Sequence, residues 1–165
     1  MLLEDSLRGV DVVRQFRGSI VDVGSGGGAP GIPLAHALPD RELTLLEANA
    51  KKCEFLRRWA PANASVVQGR AEEQETDTFG VAVAKALAPP PVAAEWCLPL
   101  VQVGGAVVLW VGPSADIQHV GRVAEQLGGR LDAESPAGLL VLRKLKPTPA
   151  GFPRRTGVAR KRPLP

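Results

Sequence analysis

Gly24, Gly26 and Gly28, with Ala29 behind them, directly follow the apolar run Ile-Val-Asp-Val at residues 20–23, and a carboxylate, Glu47, ends the next apolar run at residues 43–47. Glycine at such a turn supplies backbone angles closed to other residues and lets a ligand approach the main chain. A carboxylate about 20 residues further on is placed to accept hydrogen bonds from ribose hydroxyls. Glycines alone would mark only a turn. Loop and carboxylate together indicate a bound nucleoside.

The loop leaves the choice of nucleoside open, because Gly24-x-Gly26-x-x-Ala29 also fits the relaxed dinucleotide fingerprint. S-adenosylmethionine and NAD share an adenosine, but only NAD brings a pyrophosphate for a helix N-terminus. Pro30 and Pro33 stand where that helix begins, and proline lacks the N–H donor that a pyrophosphate needs. The prolines favour S-adenosylmethionine, with a dinucleotide as the alternative. Neither histidine is read as catalytic: His36 falls on the first helix after the loop and His119 on a late surface helix. Cys53 and Cys97 lack metal-ligand spacing and read as buried thiols, so no metal is expected.

These residues need elements to hold them, and hydrophobic periodicity supplies the elements. Strands are predicted at residues 20–23, 43–47, 65–68, 79–84 and 106–111, with helices after the glycine loop and at 48–59, 92–100 and 116–127. Val10, Val12, Val13 and Phe16 read as a brief helix or turn, and Gly104-Gly105 as the turn before the fifth strand. On the helix at 48–59, Cys53, Leu56 and Trp59 are assigned to the buried face and Lys51, Lys52, Arg57 and Arg58 to the other. Two final strands, 130–135 and 139–144, flank Pro136-Ala137-Gly138 as a hairpin. Such alternation predicts one α/β domain: a mostly parallel sheet, helices on both faces, and a C-terminal antiparallel hairpin. Residues 1–146 form that domain, and 147–165 a basic tail rich in proline, glycine and arginine.

The chain has 165 residues, enough for one sizeable core, and a net charge of +3. From Arg143 onward there are eight basic residues and no acid, whereas residues 1–142 carry a net charge of −5. A basic tail on an acidic body reads either as a solvated, mobile end or as an arm lying along phosphates, with Arg154, Arg155, Arg160, Lys161 and Arg162 as the RNA-binding candidates. No apolar run is long enough for a bilayer and the start does not look like a secretion signal. A cytoplasmic protein without membrane contact is expected, and a monomer is the default.

With these pieces in place the sequence resembles the bacterial ribosomal RNA small subunit methyltransferase G family, also called glucose-inhibited division protein B. The matching pieces are Asp5-Ser6-Leu7, Asp22-Val23-Gly24-Ser25-Gly26, Pro30-Gly31-Ile32-Pro33-Leu34, Leu45-Leu46-Glu47, Lys51-Lys52 with Phe55-Leu56, and Arg70-Ala71-Glu72. Lys85-Ala86, Leu98-Pro99-Leu100, Gly104-Gly105, Phe152-Pro153-Arg154-Arg155 and Lys161-Arg162-Pro163-Leu164 complete a likeness over nearly the whole chain.

The resemblance implies a Rossmann-like class I S-adenosylmethionine-dependent methyltransferase that modifies guanine N7 in 16S ribosomal RNA, naked or in the small ribosomal subunit; the alternatives are a class I methyltransferase with another substrate and a non-catalytic cofactor-binding RNA-associated protein. It places Gly24, Ser25, Gly26, Gly28 and Ala29 around the cofactor, Glu47 at the ribose, and Ala71 and Glu72 at the adenine. Lys85 stands where the family usually has arginine, and is expected to touch the cofactor and to position or polarise the reacting groups. Gly80 and Trp110 stand where the family tends to have aspartate and lysine, which implies two fewer polar groups around the site. Family members carry a helical segment before Asp-Ser-Leu; only residues 1–4 precede it here, so a chain lacking that segment is expected.

Overall fold

The computed structural model describes residues 2–165. Two short helices, α1 (Leu2–Leu7) and α2 (Val10–Arg14), precede β1 (Ile20–Val23), α3 (Gly31–Ala37), β2 (Leu43–Glu47), α4 (Ala50–Trp59) and β3 (Ala64–Gln68). The chain continues through β4 (Phe79–Lys85), α5 (Pro90–Cys97), β5 (Val101–Trp110), α6 (Ile117–Gln126), β6 (Gly129–Leu131), β7 (Leu139–Lys144) and α7 (Val158–Lys161). The strands form one sheet in the order β3-β2-β1-β4-β5-β7-β6. β1 to β5 run parallel, and β7 lies antiparallel to both β5 and β6. This is the expected parallel sheet with a terminal hairpin. No helix among the described residues is long and apolar enough to cross a membrane.

Continuous apolar strands arise because both faces of the sheet are covered. Alternate side chains of one strand serve different cores. Val81 and Val83 of β4 pack with Ile20, Leu34, Leu45 and Val108 beneath α2 and α3, whereas Ala82 and Ala84 join Val21, Ala94, Leu109 and Val123 beneath α5 and α6. The order of the sheet reverses between β1 and β4, and their carboxyl ends open the crevice in which such sheets hold ligands.

β5 differs from the sequence expectation by starting at Val101, so that Gly104-Gly105 falls inside it. Phe79 pairs with Val101 but Val81 with Ala106, a bulge in which several residues of β5 face Gly80. A Cβ on Gly80 would lie 1.8 Å from the Arg17 carbonyl oxygen, so the backbone approach itself requires glycine. Gly80 is the second residue of β4, at the end of the strand away from the crevice. Its lack of a carboxylate therefore removes nothing from the site.

Residues 147–165 fold back on the domain. Phe152 and Leu164 pack against the α5–α6 core, Ala159 is buried, and His119 Nε2 lies 2.7 Å from the Leu164 carbonyl oxygen. The positive charge from Arg143 onward is partly internal. Lys144 Nζ is buried and donates to Leu98 O at 2.7 Å, Val101 O at 2.9 Å and Asp77 Oδ1 at 3.1 Å, and Arg143 pairs with Asp132 at 2.8 Å.

Candidate functional site

The glycine loop is held from behind by carboxylates. Asp22 points from β1 into the loop and its Oδ2 accepts the Gly31 N–H at 3.0 Å. Gly31 is glycine because a Cβ there would meet Asp22 Oδ2 at 2.5 Å and Leu45 Cδ2 at 2.4 Å. Burial pushes the Asp22 carboxyl up to about 7, against the opposing hydrogen bonds, and its Oδ1 is buried without a partner. At the tip, Gly24 has φ +70°, and a Cβ would press on Leu87. The Gly24 and Ser25 N–H groups donate to Leu46 O at 2.8 and 3.0 Å, which ties the loop to β2.

Glu47 ends β2 and uses both oxygens on main chain: Oε1 accepts Gly26 N–H at 3.0 Å and Oε2 accepts Asn49 N–H at 2.7 Å. Asn49 in turn caps α4 through Lys52 N–H at 3.1 Å. Each carboxylate oxygen keeps a second lone pair, so Glu47 can still accept from two hydroxyls. The start of α3 offers no comparable anion site: Gly31 N–H is held by Asp22, Ile32 N–H donates to Gly28 O at 2.7 Å, and Pro33 has none. A pyrophosphate finds no free donors among these three residues.

Loop and Glu47 line a cleft of about 390 Å³, together with Ala29, Ala71, Glu72, Lys85 and Trp96. Gly28 is absent from the lining, since its Cβ position faces Ile32 and Leu56 behind the loop. At one end two buried polar atoms have no partner, Glu72 Oε2 and Trp96 Nε1. Burial raises the Glu72 pKa, with Arg70 opposing. An acceptor and a donor left open beside the loop fit the edge of a purine, which carries both kinds of group.

Lys85 enters from the end of β4, and its ammonium is paired with Asp5 of α1. Asp5 also accepts from Arg8 at 2.9 Å, and Lys85 is the main cause that holds its carboxyl below the usual range. The Asp5 carbonyl oxygen takes the indole N–H of Trp110 at 2.8 Å. Trp110 is packed: it is 8% exposed, and its ring occupies the space a Cβ on Gly9 would need. α1 is thereby fastened to the ends of β4 and β5.

The C-terminal residues approach the opposite wall. Arg154 is turned inward, with two hydrogen bonds to the buried Glu95, the longer 2.6 Å. The Arg160 guanidinium lies 5.4 Å from the centroid of the Trp96 ring, and Thr156 donates to Glu73 at 3.3 Å. Arg155, Lys161 and Arg162 are exposed. Among the described residues, no group of three or more His, Cys, Asp or Glu could hold a metal ion.

The sequence model of the rRNA small subunit methyltransferase G family matches residues 1–127. The chain belongs to this family. It is 35% identical to the ribosomal RNA small subunit methyltransferase G of Synechococcus sp. (strain JA-3-3Ab), covering 98% of this chain and 72% of that protein. It is 36% identical to the enzyme of the same name from Syntrophomonas wolfei, with 98% and 84% covered. In fold it is similar to M. jannaschii TYW2 in complex with AdoMet, at a TM-score of 0.65 and 16% identity over 86% of this chain and 72% of that one. A TehB-like SAM-dependent methyltransferase from Corynebacterium glutamicum also gives 0.65, at 19% identity over 86% and 88%.

Within this methyltransferase G frame the cleft gathers Gly24, Ser25, Gly26, Ala29, Glu47, Ala71, Glu72 and Lys85 and leaves out Gly28. Of the five basic tail residues, Arg154 is committed to Glu95 and Arg160 to Trp96. Trp96, which lines the cleft, and Asp5, which pairs with the lining residue Lys85, carry no signal in the sequence, because only the tertiary fold brings them there. Asp22 carried a usable signal, a lone carboxylate inside an apolar strand.

Proposed function

We propose that this chain transfers a methyl group from S-adenosylmethionine to N7 of a guanine in 16S ribosomal RNA. The observation that carries the reading is the cleft at the β1/β4 reversal, where the glycine loop, Glu47 and Lys85 meet while the start of α3 withholds its donors. The carboxylate and the orphaned Glu72 and Trp96 atoms suit an adenosine, and the α3 start does not suit a dinucleotide.

When bound, the cofactor supplies an electrophilic methyl on a sulfonium. Gly24, Ser25, Gly26 and Ala29 shape the floor beneath it, Glu47 accepts from the ribose hydroxyls, and Ala71 and Glu72 border the adenine. Guanine N7 carries a lone pair and no proton, so attack needs alignment and no general base. The described cleft residues agree: no histidine lines it, and the Glu47 oxygens already hold main-chain N–H groups. Lys85, fixed by Asp5, places a positive charge at the rim where an electron-rich base or a phosphate enters. Arg155, Lys161 and Arg162 supply further charge for RNA. The chain is read as a monomer acting in the cytoplasm, where its ribosomal substrate is made.

The test is transfer of labelled methyl from S-adenosylmethionine to unmethylated small-subunit RNA and particles, followed by nucleoside analysis. Label in N7-methylguanosine is the expected result. Label in another base or only in a small molecule overturns the substrate, and binding of NADH with no binding of S-adenosylmethionine overturns the reaction.

A further inference from the structure

We infer that the outward face of α4 is a docking platform for an unpaired stretch of RNA, with Phe55 and Trp59 stacking on bases and Lys51 and Arg58 holding the adjoining phosphates. The inference rests on the RNA reading of the site and adds the surface that receives the strand.

The helix buries only Cys53 and Leu56. Trp59, three residues beyond Leu56, was expected to join them, yet it is 59% exposed, and Phe55 is 46% exposed. Their ring centroids lie 6.4 Å apart with the planes tilted by 47°. The remaining five aromatic residues of the chain are buried or partly buried: Phe16, Phe79, Trp96, Trp110 and Phe152. The two rings on open surface are therefore neighbours on one helix face.

The charges around them select the partner. Lys51, Lys52, Arg57 and Arg58 are all exposed, and none forms an ion pair among the described residues. Arg57 and Arg58 lie in the last turn, where the helix dipole favours cations. Lys51 and Lys52 lie in the first turn, where it opposes them, and that turn holds no acid. Glu54, the one acid on α4, pairs with none of the four cations, so neither the dipole nor an ion pair along the helix accounts for these lysines, whereas an anionic partner does. An apolar protein surface would have to strip water from these cations, and protein interfaces are poor in charge at their centres. A single strand meets both features at once: bases stack on aromatic faces and phosphates neutralise the flanking cations. The platform also adjoins the cleft, because Lys52, the neighbour of Lys51 on α4, lines the cleft.

The experiment titrates the full chain against fluorescently labelled unmethylated small-subunit RNA and a labelled unstructured oligoribonucleotide, following fluorescence anisotropy of the RNA, beside calorimetric titration with S-adenosylmethionine. In Phe55→Ala/Trp59→Ala, RNA affinity is expected to fall about tenfold to a hundredfold, on the scale of one or two lost base stacks. Cofactor affinity and melting temperature stay at wild-type values, and Trp59→Phe restores most of the binding. Lys51→Gln/Arg58→Gln should lower the slope of log K against log salt by about 1.4, for two phosphate contacts on a single strand. Wild-type RNA affinity and salt slope in these variants overturn the platform while leaving the methyltransferase reading intact. A wild-type chain that binds no RNA overturns both. If the aromatic variant instead loses concentration-dependent self-association, the patch joins two copies and the RNA platform is wrong.

Discussion

The two halves of the cleft are built by different means. Around β1 and β2, main-chain groups set the geometry: Glu47 holds the N–H groups of Gly26 and Asn49, Asp22 holds that of Gly31, and Leu46 O holds those of Gly24 and Ser25. Around β4 and β5, side chains from remote segments set it. Asp5 reaches Lys85 across 80 residues and Trp110 across 105, and Arg160 comes from the far end of the chain to Trp96. The first half is locally encoded and tolerates little change; the second depends on both ends of the chain packing onto the sheet and can be adjusted in steps.

The sharpest way to test this contrast is Glu47→Ala. It removes the acceptors for the Gly26 N–H of the loop and the Asn49 N–H before α4, together with the proposed ribose contact. Hydrogen bonds to a charged group contribute about 1.5–3 kcal/mol each, so a loss of about a hundredfold in S-adenosylmethionine affinity is expected by calorimetry. Glu47→Gln, which keeps one acceptor, should fall between. A loss below about fivefold would mean that the glycine loop supports itself.

Asp22→Asn probes the same half through pH. Burial lifts the folded carboxyl to about 7, whereas in an unfolded chain it titrates at about 4. Between those values the folded protein keeps a proton that the unfolded chain has released. The contribution of Asp22 is therefore most favourable below about pH 4 and declines as pH rises to about 7. Asparagine keeps an acceptor for Gly31 N–H and cannot ionise. Thermal melts from pH 4 to 8 should show the variant gaining on the wild type by several degrees across that window and little difference at its acid end. A constant offset at every pH would show that Asp22 titrates normally.

The same contrast explains what could be read in the sequence. Gly26 and Glu47 are 21 residues apart at the ends of adjacent parallel strands, so spacing put Glu47 with the loop at one ligand, while its hydrogen bond to Gly26 is seen only in the fold. Trp59 was misplaced because helical periodicity identifies a face without showing how far the sheet extends under it; β3 is a thin edge strand, itself largely exposed. Gly80 was counted with the site because the resembled family tends to have aspartate there, and a residue type carries no information about which end of its strand faces the cleft. Its neighbour is the Arg17 carbonyl, at the end away from the cleft. Arg154 was read as free charge because its partner, Glu95, lies 59 residues away on α5. Local pattern thus conveyed the half made of main chain, and long-range pairs were beyond it.

The rim made of side chains should respond more mildly, and Asp5→Asn tests this where the two designs differ most. The Asp5 carboxyl is 34% exposed and Lys85 21%, so water screens the pair and its loss costs little stability. Asparagine leaves the carbonyl oxygen that takes the Trp110 indole, and α1 should therefore stay docked. What changes is the freedom of Lys85, which no longer has a fixed anion to hold its ammonium at the end of β4. Methyl transfer is expected to fall about fivefold in kcat, on the scale of about 1 kcal/mol of lost alignment, with cofactor affinity within twofold of wild type. Lys85→Ala should lower kcat further, and Asp5→Asn added to it should then have no additional effect, since the two residues act as one unit. If Asp5→Asn instead raises kcat, Asp5 competes with the RNA for Lys85, and the N-terminal helix restrains the rim where it was expected to prepare it.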